Sequence, residues 1–177
     1  IKKDLFFKYL QCILIGLPIW FVIGFLVALT PEIGTFLNIS GKIDAGVAIM
    51  YAYIGLSAGD LSSGLLSQAI KSRKKVAVIF ILLALAFMLT YLLMPYKSIQ
   101  LFYILCGGLG FSVGYWALFI TIAAEQFGTN IRATVATTVP NFVRGSVNII
   151  SPLYLFIKFH TDIIQTSLYV GILTIII

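Results

Sequence analysis

The feature that most constrains this chain is a set of long apolar runs, the purest being VAVIFILLALAFMLTYLLM, Val76 to Met94. That run carries no charged side chain, and about 20 apolar residues in a helix cross the hydrocarbon core of a bilayer. Over the 177 residues only 10% are charged, against roughly 25% in soluble domains. Since a soluble core of this length would need a polar shell, the composition is typical of a membrane protein.

Six such runs are candidates for spanning helices, and together they make residues 1–177 a single transmembrane domain. They cover residues 9–31, 45–70, 76–94, 98–124, 133–157 and 163–177. Only helices or closed barrels satisfy the backbone in hydrocarbon, and the runs lack the alternation of barrel strands. The predicted fold class is therefore an all-α membrane protein with six transmembrane helices.

The polarity of these runs repeats with a period of three. The first and fourth are interrupted by glycine or proline, the second and fifth carry charges, and the third and sixth are almost purely apolar. An odd number of spans per triplet inverts the second triplet relative to the first. Two inverted three-helix repeats forming a six-helix half are an organisation of some secondary transporters.

The distribution of lysine and arginine predicts the orientation. Eight basic residues precede the first run or lie in the even-numbered connections: Lys2, Lys3, Lys8, Lys71, Arg73, Lys74, Lys75 and Arg132. The other connections hold three: Lys42, Lys97 and Lys158. The positive-inside rule then places the N-terminus in the cytoplasm, with the plasma (bacterial inner) membrane as the expected location. No basic stripe interleaved with stacking aromatics indicates a nucleic-acid partner.

Polar residues in the second and fifth runs are the candidates for a solute path. In the fifth run five polar residues share one helical face: Thr137, Asn141, Arg144, Asn148 and Ser151. Asp60 and Arg144 are charges of opposite sign at similar depth, so they could form a packing bridge. Alternatively they line a water-filled path, with Asp60 carrying a proton or sodium and Arg144 contacting the solute. Tyr115 and Trp116 are expected to form either an aromatic wall of that path or part of the core.

Small residues four apart occur in the second and fourth runs. Gly55 and Gly59 have this spacing, as do Gly110 and Gly114. Such spacing lets two helix backbones approach closely. We expect these glycines to serve helix packing.

Two connecting segments, GLLSQAIKSRKK (residues 64–75) and EQFGTNIRAT (residues 125–134), resemble signatures of the major facilitator superfamily. GLLSQAIKSRKK, residues 64–75, is similar to the loop between the second and third helices of each six-helix half. Five positions agree: Gly64, Leu66, Ser67, Arg73 and Lys74. Gln68 stands where that signature has an acid, and Lys71 replaces its inner glycine. These departures favour the C-terminal half, whose copy is often degraded.

The second segment, EQFGTNIRAT, residues 125–134, resembles the connection between the fourth and fifth helices in sugar-porter-like and organic-ion-like members. The matching positions are Glu125, Phe127, Thr129, Arg132 and Thr134. Glu125 and Arg132 can pair with each other or with the basic cluster, and such a network would close the cytoplasmic side. Gly64, Arg73, Lys74, Glu125 and Arg132 are therefore the candidate gate residues.

The resemblance implies a transporter of about twelve helices, with this chain as the truncated C-terminal half. It also implies that the first, second, fourth and fifth helices line the cavity while the third and sixth face the lipid bilayer. A secondary active transporter of a small solute, working by alternating access with the missing N-terminal half, is the expected function. The alternative is a channel subunit or an integral membrane enzyme. One histidine and six acidic residues offer no convergent catalytic set, so no enzyme activity, cofactor or metal is predicted.

Overall fold

The computed structural model describes residues 3–39, 41–95 and 98–177, and within them it contains helices and no strands. The helices, in chain order, are α1 (Lys3–Phe21), which continues as a π-helical segment (Val22–Val27), α2 (Thr30–Phe36), α3 (Ala45–Ile70), α4 (Arg73–Leu93), α5 (Ile99–Ser112), α6 (Trp116–Glu125), α7 (Thr129–His160) and α8 (Ile163–Ile176). Lys2 and Lys97, two residues used for the orientation, lie outside the described residues. The predicted all-helical class is confirmed.

Short polar side chains define where several helices begin. Asp44 accepts hydrogen bonds from the backbone N–H groups of Gly46 and Val47 at 2.7 and 3.2 Å, which starts α3. Asp162 accepts from the N–H of Gln165 at 2.8 Å at the start of α8. These contacts satisfy backbone donors that have no partner within the helix.

Three helical spans in the described residues are long and apolar enough to cross a membrane: Lys3–Val27, Arg73–Leu93 and Ile99–Glu125. Helices α3 and α7, with 26 and 32 residues, have sufficient length but are not among these spans, and α8 is apolar but has only 14 residues. The structure is therefore compatible with an integral membrane protein.

Several predicted boundaries need correction. The first helix starts at Lys3 rather than Tyr9, and it ends at Val27 before the separate helix α2. The run 133–157 is part of the longer helix α7, and Pro140 and Pro152 lie within it. The run 98–124 is two helices, because the backbone leaves helical geometry from Val113 to Tyr115. The predicted second helix, 45–70, has the observed bounds of α3.

Glycines set the distance between α3 and α5. A Cβ on Gly55 would overlap the carbonyl oxygen of Gly107, and one on Gly110 would overlap that of Ala52. Further along, a Cβ on Gly114 would lie 2.5 Å from the Cα of Gly59. The two backbones are therefore in direct contact, as expected from the spacing of four.

Helix α1 packs against α6 and α7 through a second small residue. A Cβ on Gly16 would lie 2.7 Å from a methyl group of Val143 and 2.9 Å from the ring of Phe119. This close approach brings α1, α6 and α7 together around one point, which is where the candidate site lies.

Candidate functional site

The site is built around the break between α5 and α6. Gly114 lies at the break with its Cα against Gly59, so α3 touches the backbone there. The first turn of α6 follows at Trp116, so this helix begins within the long apolar span Ile99–Glu125. A helix that begins inside such a span presents the positive end of its dipole to polar groups.

Asp60 provides the cap for this helix. Its carboxylate accepts a hydrogen bond from the backbone N–H of Ala117 at 3.2 Å, although 57 positions separate the two residues. The Asp60 side chain is half-buried, and the N-cap residue of α6, Tyr115, provides no side-chain cap. The negative charge of Asp60 is thus stabilised by a helix N-terminus rather than by a cation.

Arg144, on α7, lies over two indole rings. Its guanidinium carbon is 5.4 Å from the ring centroid of Trp20 on α1 and 5.7 Å from that of Trp116 on α6. The two indoles meet edge to face, with centroids 6.2 Å apart. The two distances from the guanidinium to the indole rings are within the range of cation–π attraction.

Asp60 and Arg144 do not pair with each other. Among the described residues the salt bridges join Arg73 to Glu125 and Lys158 to Glu32. Arg144 and Asp60 instead meet successive residues of the first turn of α6, one through the Trp116 ring and the other through the Ala117 amide. The packing bridge considered from the sequence is therefore wrong, and the N-terminus of α6 joins the two charges indirectly.

Hydrogen-bond donors at this point lack protein partners. The indole N–H of Trp20 is buried without an acceptor among the described residues. Within the same residues no carboxylate lies within salt-bridge distance of Arg144, whose side chain is exposed. The site therefore offers the exposed guanidinium of Arg144 beside two aromatic faces, a combination suited to an acceptor group on an unsaturated or apolar molecule.

The polar face of α7 is left uncovered around Arg144. Thr137, Asn141, Arg144 and Asn148 are exposed, and Ser151 is half-buried. Asn141 donates to the carbonyl of Thr137 at 2.9 Å, which leaves its side-chain oxygen free to accept. The predicted common face is confirmed as a surface running along α7.

Tyr115 and Trp116 have different surroundings. Tyr115 is fully buried, and its hydroxyl donates to the carbonyl of Ile15 at 3.0 Å. Trp116 is half-buried and contacts both Arg144 and Trp20. Tyr115 thus belongs to the packed interior, while Trp116 lies in the site.

At the other end of α6, Glu125 forms an ion pair with Arg73 at the start of α4. Of the two partners expected for Glu125, the basic cluster is the one observed, and Arg132 in the first turn of α7 makes no salt bridge among the described residues. Gly64 lies within α3 with no atom near the place of a Cβ. Lys74 is exposed.

Lys71 ends α3 in the left-handed conformation, with φ of 55°. Glycine is the residue that usually ends a helix in this way. The position where the loop signature has its inner glycine therefore keeps the backbone geometry that glycine favours.

Trp20 is the site residue that the sequence interpretation missed. A signal existed, since the chain has two tryptophans and each lies in a run interrupted by glycine or proline.

Compared with protein-family models, curated proteins and solved structures, this chain has no match.

Proposed function

We propose that this chain is the C-terminal six-helix half of a major-facilitator-type secondary active transporter, which moves a small solute by alternating access. The main support for this proposal is the position of Arg144. Its guanidinium lies over the indoles of Trp20 and Trp116, on the exposed polar face of α7 and beside the break between α5 and α6. A charge deep in a membrane protein is costly and faces a cavity or a partner. Discontinuous helices near the midplane are the usual elements of transporter sites.

In this proposal Arg144 contacts an anionic or acceptor group of the solute. The indole faces hold the flat guanidinium, so its N–H edge stays available for two parallel hydrogen bonds to a carboxylate. Asn141 and Asn148, one turn away on either side, line the same path. The N-terminal half would cover this face of α7 and complete the site.

Asp60 is the candidate for coupling to a proton or sodium. Its carboxylate is half-buried beside the break and is bound by a backbone amide rather than by a cation. A proton or sodium ion bound to Asp60 would compete with the N-terminus of α6 for the carboxylate. Binding of that ion would therefore affect α6, the helix that also carries Trp116.

The Arg73–Glu125 pair is the proposed gate contact. It joins the start of α4 to the end of α6, which begins at the site. Because this pair is exposed, its strength depends on the salt concentration, and it can break and reform during a transport cycle. Of the other candidate gate residues, Gly64 lies in α3, Lys74 in the first turn of α4 and Arg132 in the first turn of α7.

Intrinsic fluorescence tests the solute site, since both tryptophans of the chain flank Arg144. A panel of organic carboxylates, quaternary amines and hexoses is titrated into the purified intact protein. We expect carboxylates to change the emission, and Arg144→Ala to weaken their binding at least about tenfold through loss of a charged hydrogen bond.

Leu155→Ala is the control, because Leu155 is an exposed residue on the same helix, 63% accessible and about three turns from Arg144. Its binding should equal that of the wild type. Equal carboxylate affinity in the wild type and Arg144→Ala would remove the proposed role of Arg144.

A further inference from the structure

Helix α1 changes its geometry directly after Trp20, one of the two tryptophans that contact Arg144. The segment Val22–Val27 is π-helical, and all of its residues except Gly24 are buried. A π-helical turn is rare in proteins and often lies at a functional site. The contacts that hold this turn in place therefore bear on the site.

Pro31 explains why this segment takes hydrogen bonds from side chains. It lies four residues after Val27 and five after Leu26, which are the positions of the α-helical and π-helical donors to those two carbonyls. Proline has no N–H group and cannot donate to either one. Two buried hydroxyls do so instead: Thr30 donates to the carbonyl of Val27 at 2.9 Å, and Tyr91 of α4 donates to that of Leu26 at 3.2 Å.

The π-helical segment packs on α7, the helix that carries Arg144. The ring centroid of Phe25 is 4.9 Å from that of Tyr154, and a Cβ on Gly24 would lie 3.3 Å from a methyl group of Val147. Val147 follows Arg144 by three residues, so the two lie on neighbouring turns of α7. The segment therefore sets how α1 lies against the part of α7 that carries Arg144.

The π geometry also determines the direction of Trp20 relative to this segment. A π-helical turn holds about one residue more than an α-helical turn, and one residue corresponds to a rotation of about 100° in an α-helix. If the segment became α-helical while Phe25 stayed against Tyr154, the indole of Trp20 would rotate away from the guanidinium carbon of Arg144, which is 5.4 Å from its ring centroid. Bonds that hold the π geometry therefore hold Trp20 over Arg144.

From these contacts we infer that Tyr91 is a positioning residue of the solute site. Its hydroxyl holds the π-helical segment at Leu26, and the segment keeps Trp20 over Arg144. Tyr91 belongs to α4, so its effect on the site passes through α1. The solute site itself rests on the proposed function, whereas the placement of Trp20 can be measured without any solute.

Near-ultraviolet circular dichroism of the intact protein measures that placement. The indoles of Trp20 and Trp116 meet edge to face with centroids 6.2 Å apart, so their bands depend on their mutual arrangement. A difference spectrum between variant and wild type cancels every indole that does not move, and the indole bands lie at longer wavelength than those of tyrosine. We expect Tyr91→Phe to weaken these bands, and Thr30→Val to weaken them as well, because each removes one hydroxyl bond to the segment.

Tyr154→Phe is the matched control. Tyr154 is also buried, but its hydroxyl bonds to that of Ser167 at 2.8 Å rather than to the π-helical segment, and the substitution keeps its ring against Phe25. Its indole bands should equal those of the wild type. Unchanged indole bands in Tyr91→Phe, or an equal change in Tyr91→Phe and Tyr154→Phe, would overturn the positioning role.

Carboxylate titration connects the placement of Trp20 with the solute site. Tyr91→Phe should weaken carboxylate binding roughly two- to fivefold, as for loss of one cation–π contact, and Tyr154→Phe should bind like the wild type. Wild-type affinity in a Tyr91→Phe protein whose indole bands have changed would contradict the positioning role. If the wild type binds no carboxylate, the proposed function of Arg144 fails, while the indole bands still decide whether Tyr91 positions Trp20.

Discussion

At the scale of single residues, Asp60 shows how a charge in an apolar segment is satisfied without a counterion. Its carboxylate meets the first turn of α6, where backbone N–H groups have no helical partner. The same contact gives those donors an acceptor that the local sequence does not supply, since no side chain next to α6 caps it. The charge and the helix break therefore stabilise each other.

Substitutions at Asp60 separate capping from ion coupling. Asp60→Ala should destabilise the protein by about 1 kcal/mol, as for loss of an N-cap acceptor, and should speed hydrogen exchange at the Ala117 amide. Asp60→Asn keeps an acceptor oxygen and should retain most of that stability. If Asp60 also carries the coupling ion, Asp60→Asn will lose ion-driven uptake while remaining folded.

Thermal unfolding and amide exchange of the purified variants measure the capping contribution. An Asp60→Asn protein that is as unstable as Asp60→Ala would show that the amide cannot replace the carboxylate, and would contradict the capping role described above.

The partners of Asp60 and Arg144 could not be predicted from their positions in the runs. The sequence suggested a bridge because two opposite charges at one depth lower each other's cost. That argument assumed intact helices. Once the fourth run breaks at Gly114, backbone donors become available to Asp60, and the ring of Trp116 becomes available to Arg144.

At the scale of the helices, glycines bring α3 directly against α5 and against the break that follows it. Gly55, Gly59, Gly110 and Gly114 allow the backbones to touch, and the contact extends to Gly114, two residues past the end of α5 at Ser112. In a bilayer, where dispersion contacts rather than the hydrophobic effect hold helices together, such close approach would stabilise the pair.

Two glycines of α3 give a direct test of that contact. Gly55→Ala places a methyl group onto the carbonyl oxygen of Gly107 and should destabilise the protein by about 1–3 kcal/mol. Gly64→Ala meets no atom and should stabilise α3 by about 0.5–1 kcal/mol. Thermal unfolding in detergent, followed by far-UV circular dichroism, measures both. The two substitutions should change the free energy of unfolding in opposite directions, and equal changes would contradict the close contact between α3 and α5.

The helical elements were predictable to different degrees for physical reasons. The bounds of α3 follow from local signals, with Asp44 as the cap before the run and a polar cluster after it. The end of the first helix at Val27 and the start of α2 at Thr30 were missed, because the apolar pattern continues across them. The glycines of the fourth run indicated an interruption, but the contact of Asp60 with the first turn of α6 comes from another helix, so no local pattern reports it.

At the scale of the whole molecule, the polar face of α7 is exposed, because no other helix in the described residues covers it. Thr137, Asn141, Arg144 and Asn148 form a continuous exposed surface next to Trp20 and Trp116. Facing lipid would cost about 2.5–3.5 kcal/mol for the arginine alone on insertion scales. A second half with its own polar face, across a water-filled path, removes this cost and is what the proposed transporter supplies.

Solute exchange across proteoliposomes containing the intact protein tests the central claim most directly. Vesicles are loaded with an unlabelled solute that the fluorescence titration identifies, and entry of the labelled solute is followed. We expect the wild type and Leu155→Ala to exchange it at equal rates, and Arg144→Ala to be at least about tenfold slower at equal protein content. A bound solute that the wild type does not exchange, or an Arg144→Ala protein with the wild-type rate, would contradict the account.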